Sequence, residues 1–431
     1  MSSSFGLSAT ARAALLARLT RRRDDAPAAE TPRGFRELPG QREMALIRDA
    51  AASLELENPF FRAHEGVAAA HSVIAGREVI NFGSYNYLGL NGDLRVQAAA
   101  KAAIDQYGVS ASASRMVSGE RPAHGALEAA LAAHYRAEAA LVFVSGHATN
   151  VTVIGHMMGP RDLIVHDAAI HNSCTEGVRL SGAKRLSFAH NDWRAAEAAL
   201  TEARRGARRA LLVIEGHYSM DGDIPDLPRF IEIARRHDAW LMVDEAHALG
   251  VVGACGHGVH EHFGIDPNEV DIWMGTLSKT LSGCGGYIAG NASLIEWLKH
   301  SAPGFVYSVG LAPALAAAAT ESLKILHEEP GRVARLQANT ALFLDLAREA
   351  GFDTGTATAH AIVPVILKSS IAAARYSQLL FARGINVQPI IYPAVAEKAA
   401  RLRFFMSSEH SEADIRSTIA ALIAIRKEAK G

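Results

Sequence analysis

Cysteine is scarce in this 431-residue chain: Cys174, Cys255 and Cys284 are odd in number, widely spaced, and form no CxxC pair. That excludes a disulfide framework and a zinc ribbon and fits a reducing compartment, so a cytoplasmic location is expected. An excess of charge is missing as well. The 44 basic residues stand against 45 acidic ones, for a formal net charge of −1. With no basic field and no aromatic–basic stripes, nucleic-acid binding is not expected. No apolar run reaches the roughly 18–20 residues that cross a bilayer, and there is no secretory hydrophobic core.

Acid is absent from residues 1–23, which carry Arg12, Arg18, Arg21, Arg22 and Arg23 with Leu7, Ala11, Leu15 and Leu19 at helical spacing. Three readings stand: a frayed solvated helix, a helix that docks on a partner or lies peripherally on a membrane, and a transit peptide. The Pro-, Gly- and charge-rich stretch 24–40 reads as a linker.

From about Ala51 the chain is continuous, and its middle alternates short apolar runs with alanine-rich helical stretches. The runs are Ala140–Val144, Asp162–His166, Ala210–Glu215, Trp240–Asp244, Asp271–Thr276 and Tyr287–Ala289. Helices are expected at His124–Tyr135, Trp193–Arg204 and Leu227–Arg236. This rhythm predicts an α/β fold with a mostly parallel central sheet, whose ligands gather at the carboxyl ends of its strands. The predicted organisation is an arm and linker over 1–40, an N-terminal segment over 41–90, a large domain over 91–312 and a smaller α+β domain over 313–431.

Two of those strand ends carry opposite charge. "AWLMVDEAHALG" places Asp244 where an apolar strand stops, and the next strand ends in Thr276-Leu277-Ser278-Lys279. A carboxylate at a buried strand end is costly unless a cation meets it. A carboxylate can hold a pyridine nitrogen protonated, and a lysine can form an imine with an aldehyde. Together they suit pyridoxal 5'-phosphate (PLP). The glycines at 283, 285 and 286 leave Lys279 uncovered, where an ordinary surface lysine would have long neighbours. A dianionic phosphate suits the N–H groups of a helix beginning at Gly146-His147, with Thr276 and Ser278 adding hydroxyl donors. His171 and Ser219 also follow strand ends. Arg401 and Arg403 share one side of a strand alternation, and either could be a salt-bridged surface arginine.

The stretches "DEAHALGVVGACGHGVHEHFG", "GTLSKT", "EGHYSMDGD" and "RLRFFMSSEH" resemble the α-oxoamine synthases, which are fold-type I PLP-dependent transferases. The resemblance covers about Asn81 to Ile425. It implies that Lys279 is the Schiff-base lysine, Asp244 the partner of the pyridine nitrogen and His171 the ring-stacking histidine. His247 and Ser219 would contact the phenolic oxygen, and Thr276 with the Gly146-His147 backbone the phosphate. Ser308 would reach that phosphate from the other subunit of a homodimer, and Arg403 would bind the amino-acid carboxylate. Many members have asparagine where this chain has Tyr85, within "GSYNYLG", a wording similar to serine palmitoyltransferases. Other stretches resemble domains fused to polyketide synthases, whose acyl groups ride on carrier proteins.

The implied reaction is decarboxylative condensation of a small amino acid with an acyl thioester, with L-serine and a long acyl chain as first choice. Glycine or alanine as the amino acid is the alternative, in 8-amino-7-oxononanoate-type or polyketide-type synthesis. The donor is acyl-CoA or an acyl carrier protein, and the arginine-rich arm suits an acidic carrier. A PLP enzyme of retro-aldol or simple decarboxylation type is a competing reading. So is a non-catalytic partner subunit of a heterodimeric synthase, although such a subunit is expected to lack Lys279.

Overall fold

The computed structural model describes Phe35 and residues 38–428, so the readings attached to residues 1–23 lie outside the described residues. After the helix Gln41–Ser53, strands β1 (His64–Glu65), β2 (His71–Ile74) and β3 (Arg77–Asn81) form an antiparallel meander. Seven strands follow: β4 (Ala139–Phe143), β5 (Leu163–Asp167), β6 (Lys184–Phe188), β7 (Ala210–Glu215), β8 (Trp240–Asp244), β9 (Ile272–Thr276) and β10 (Gly286–Gly290). They form one sheet in the order β4-β10-β9-β8-β7-β5-β6. Strand β10 runs antiparallel to both neighbours, and the other pairings are parallel.

The central strands are apolar nearly end to end because helices cover both faces of the sheet. Leu212, Ile214 and Val243 enter one buried cluster, while Leu211, Val213 and Met242 enter the other. The six expected strands match observed ones to within one residue at either end, with β7 and β8 matching at both ends. Strand β6 was not anticipated. It lies at the sheet edge, where Lys184, Arg185 and Ser187 are exposed and the apolar signal is lost.

The carboxyl-terminal region adds β11 (Ile362–Ile366), β12 (Ile385–Asn386), β13 (Gln388–Ile390) and β14 (Arg401–Phe405). Strand β14 lies between β11 and β13 in an antiparallel sheet. Strand β12 instead pairs in parallel with β3, so the segment before the large sheet and the region after it share one sheet. Asn386 Nδ2 donates to Asn81 Oδ1 at 2.9 Å across that junction. The helix Pro313–Glu328 packs against helices Leu94–Tyr107 and Pro122–His134 of the large region.

Candidate active site

Parallel packing of β7, β8 and β9 brings three carboxyl ends side by side, with Glu215 in register with Asp244 and Asp244 with Met274. Asp244 is 4% exposed. One of its oxygens accepts the Ala246 N–H at 2.9 Å and the other the Asn150 Nδ2 at 2.8 Å. Lys279 follows β9 by three residues and is half-buried. Burial pulls its ammonium down to about 8, a shift opposed by the carboxylates of Asp244 and Glu215 and assisted by Arg403. Its Nζ stands 5.6 Å from the centre of the Tyr85 ring.

Tyr85 packs edge-on against His247 and Phe405, with ring centres at 5.8 Å and 4.8 Å. His247 is buried, and its Nδ1 lies 2.7 Å from the Tyr87 hydroxyl. Burial holds His247 well below the usual imidazole range, and the charges of Lys279 and Arg403 push it the same way. His171 caps the helix Asn172–Ser181, and its ring lies 6.4 Å from that of His147. The residue is exposed at one edge, but desolvation of its ring within the pocket lowers its pKa, opposed by Asp244.

A helix of 12 residues, Gly146–Met157, starts beside β9 with Ser145 as its cap. The N–H groups of Gly146 and His147 open that helix and have no partner within it. A Cβ on Gly146 would lie 2.7 Å from Thr276 Oγ1, so only glycine brings the helix start against the strand end. Thr276 Oγ1 in turn sits 2.6 Å from Ser278 Oγ. Two backbone donors and two hydroxyls thus line one cradle, which fits a phosphate. The carboxylate of Asp244 and the amine of Lys279 fit the ring and aldehyde of PLP.

Arg401 and Arg403 separate sharply. Arg401 is bound to Asp221 Oδ1 at 2.6 Å and to the Met220 carbonyl at 2.9 Å. Arg403 donates one nitrogen to the Ser219 carbonyl at 2.9 Å and lies over the Phe405 ring, while its buried Nε has no partner among the described residues. A guanidinium with spare donors suits a carboxylate ligand. Ser219 is buried, and its N–H faces Glu215 Oε2 at 3.3 Å. Ser308 stands apart, on a turn between the exposed side chains of Tyr307 and Val309.

Sequence reasoning singled out neither Asn150 nor Glu215. Glu215 is fully buried with one oxygen unpartnered, and burial raises its pKa to about 8. An acid closing the apolar run of β7 was the available sign. Asn150 lies one helical turn beyond Gly146 and was equally open to reading.

Residues 77–422 match the family described as aminotransferase class I and II. An 8-amino-7-oxononanoate synthase of Fervidobacterium nodosum is 41% identical over 86% of this chain and 94% of its own length. A serine palmitoyltransferase of Bacteroides thetaiotaomicron is 36% identical over 88% and 98%. Among solved structures, a serine palmitoyltransferase of S. paucimobilis carrying PLP and myriocin superposes with a TM-score of 0.86 at 30% identity. It covers 90% of this chain and 98% of that one.

Proposed function

The chain belongs to the aminotransferase class I and II family, and within it to the PLP-dependent α-oxoamine synthases; from that premise we propose that it joins L-alanine to an acyl thioester with loss of CO₂. The chemistry rests on one observation above the others: Arg403, with spare donors, shares a pocket with Lys279 and Asp244. The choice of alanine rests on the relatives. In 8-amino-7-oxononanoate the carbon bearing the amine also bears a methyl group, which is the alanine skeleton. L-Serine, the sequence's first choice, is the second reading, supported by the serine palmitoyltransferase likeness and by Tyr85.

Bound PLP supplies an electron sink for the negative charge that develops at Cα. Asp244 would keep the proton on the ring nitrogen, held in place by Asn150 and the Ala246 N–H. The helix start at Gly146-His147, with Thr276 and Ser278, would hold the phosphate, and His247 and Ser219 the phenolic side. His171 would lie against the ring. Arg403 would bind the substrate carboxylate through a planar fork, which orients the substrate better than a lysine would. Lys279 would take the Cα proton. A pKa near 8 leaves about a tenth of the amine neutral at pH 7, far more than an ordinary lysine, as a general base requires. Tyr85, close to Lys279, would limit the side chain admitted.

We assign the homodimer to the face formed by residues 109–119 and 307–310. Val109, Val117 and Tyr307 are 75%, 81% and 86% exposed there, and Gly310 bonds Ala113. Cover by a second copy would carry Ser308 toward the partner's phosphate cradle. The test of function is thioester-dependent CO₂ release by PLP-loaded protein given L-alanine, glycine or L-serine. Each is paired with a seven-carbon dicarboxylic or a long-chain acyl thioester. Preference for alanine is expected, preference for serine establishes the second reading, and no thioester-dependent release with any pair ends both.

A further inference from the structure

Four polar side chains form an unbroken hydrogen-bonded line beneath the pocket. Asn150, 1% exposed, donates Nδ2 to Asp244 Oδ2 at 2.8 Å and to Ser173 Oγ at 3.0 Å. Ser173, also 1% exposed, places Oγ 2.7 Å and its backbone N–H 3.3 Å from Nδ1 of His171.

Chemistry fixes the direction of every bond. Only the NH₂ end of Asn150 can face a carboxylate, so that partner sets the orientation of the amide. Its two hydrogens go one to Asp244 and one to Ser173. The Ser173 oxygen is then an acceptor, and its own single proton is left for Nδ1 of His171. With a hydroxyl and a backbone N–H both aimed at it, Nδ1 carries no proton. A neutral imidazole has one ring proton, which must therefore sit on Nε2.

We propose that Asn150 and Ser173 are positioning residues that lock His171 as its Nε2–H tautomer, making the outer edge of the ring a hydrogen-bond donor to the thioester carbonyl. The role toward the carbonyl rests on the acyl-transfer reading above; the tautomer rests on the hydrogen bonds alone. His171 is exposed, so this edge is open to a ligand. A donor there stabilises the oxygen that becomes negative as Cα attacks, and the bonded line holds it in place beforehand. Although one edge is exposed, desolvation of the rest of the ring in the pocket and the charges of Lys279, His147 and Arg403 favour the neutral form, against Asp244. Because the Ser173 hydroxyl accepts from Asn150, it is the stronger donor to Nδ1.

Full-length protein with ¹⁵N-labelled histidine, with and without PLP, reports the tautomer by NMR, the His171 signals being assigned through His171→Gln. The expected wild-type state is Nε2–H in both forms. In Ser173→Ala the Nδ1–H form should rise, and Ser173→Thr should restore the wild-type pattern. With PLP and substrates, Ser173→Ala should lower kcat about tenfold while the KM for the amino acid holds, and Ser173→Thr should recover it. A wild-type Nδ1–H state overturns the assignment without recourse to any variant, and so does an unchanged tautomer in folded Ser173→Ala. An Nε2–H state in a protein that releases no CO₂ with any thioester would retain the tautomer and remove the acyl-transfer reading.

Discussion

Arg401 and Arg403 point the same way from β14, yet their partners divide them. Arg401 is committed to Asp221, whereas the buried Nε of Arg403 has no partner among the described residues. Arg403→Lys should therefore raise the KM for the amino acid roughly tenfold to a hundredfold, the range of a hydrogen bond to a charged group, with little change in Tm. Arg401→Ala should instead lower stability by roughly 1–3 kcal/mol and leave that KM near wild type; steady-state kinetics and thermal melts separate the two. The alternation of the strand put both arginines on one face in the sequence but could not rank them, because the ranking depends on Asp221, 180 positions away. Lys279 and Asp244 were legible because each ends an apolar run and parallel neighbours align such ends. Its pKa of about 8 gives Lys279 a signature of its own. The neutral amine is the nucleophile, so uptake of PLP by cofactor-free protein should accelerate as pH rises through about 8 and level off above it, as followed by absorbance.

Among the elements, the approach of helix Gly146–Met157 to β10 is the tightest constraint on the cradle. A Cβ on Gly286 would meet Thr149 Oγ1 at 2.5 Å and Gly146 Cα at 2.7 Å, whereas one on Gly283 finds nothing nearer than 3.5 Å. Gly286→Ala should cost roughly 1–3 kcal/mol through overpacking and weaken PLP binding, while Gly283→Ala should bind it nearly normally; PLP titration decides. The sequence grouped these glycines together, since composition does not reveal which backbone has a neighbour. A second constraint pins the end of β5. His190 bridges Asp167 at 3.0 Å and Asp223 at 3.1 Å, and these carboxylates raise it to about 10 against the effect of burial. A folded-state pKa above the unfolded value of about 6.5 gives stability fully present below pH 6.5 and lost as pH rises through about 10. Asp167 is held below the usual carboxylate range despite burial, chiefly by His190, so its share is lost in acid. His190→Ala should destabilise by roughly 3–5 kcal/mol near pH 6, since it strands buried carboxylates, and the gap should narrow toward pH 10 in denaturant titrations. Strand β6 and the β1–β3 meander were not legible because each mixes exposed polar residues with buried ones, leaving little of the apolar run that marked the central strands.

At the scale of the whole molecule, the proposed dimer uses the face around Val117 and Tyr307. Val117→Asp should shift the protein from dimer to monomer in sedimentation and weaken PLP retention, because Ser308 would no longer reach a partner. Deleting residues 1–23 should raise the KM for an acyl carrier protein at low salt and leave acyl-CoA kinetics unchanged; equal effects on both donors would remove the carrier reading.

The pairing of β3 with β12 reaches further than the sheet it completes. It joins the stretch leading to Tyr85 with the region bearing Arg403, while Lys279, Asp244 and Thr276 all hang from the seven-stranded sheet. On the roles proposed above, selectivity and reactivity are thereby housed on separate frameworks. Transplanting residues 77–90 together with 385–405 from a relative of different taste should import that taste and spare the chemistry, whereas moving either stretch alone would mismatch the seam that unites them.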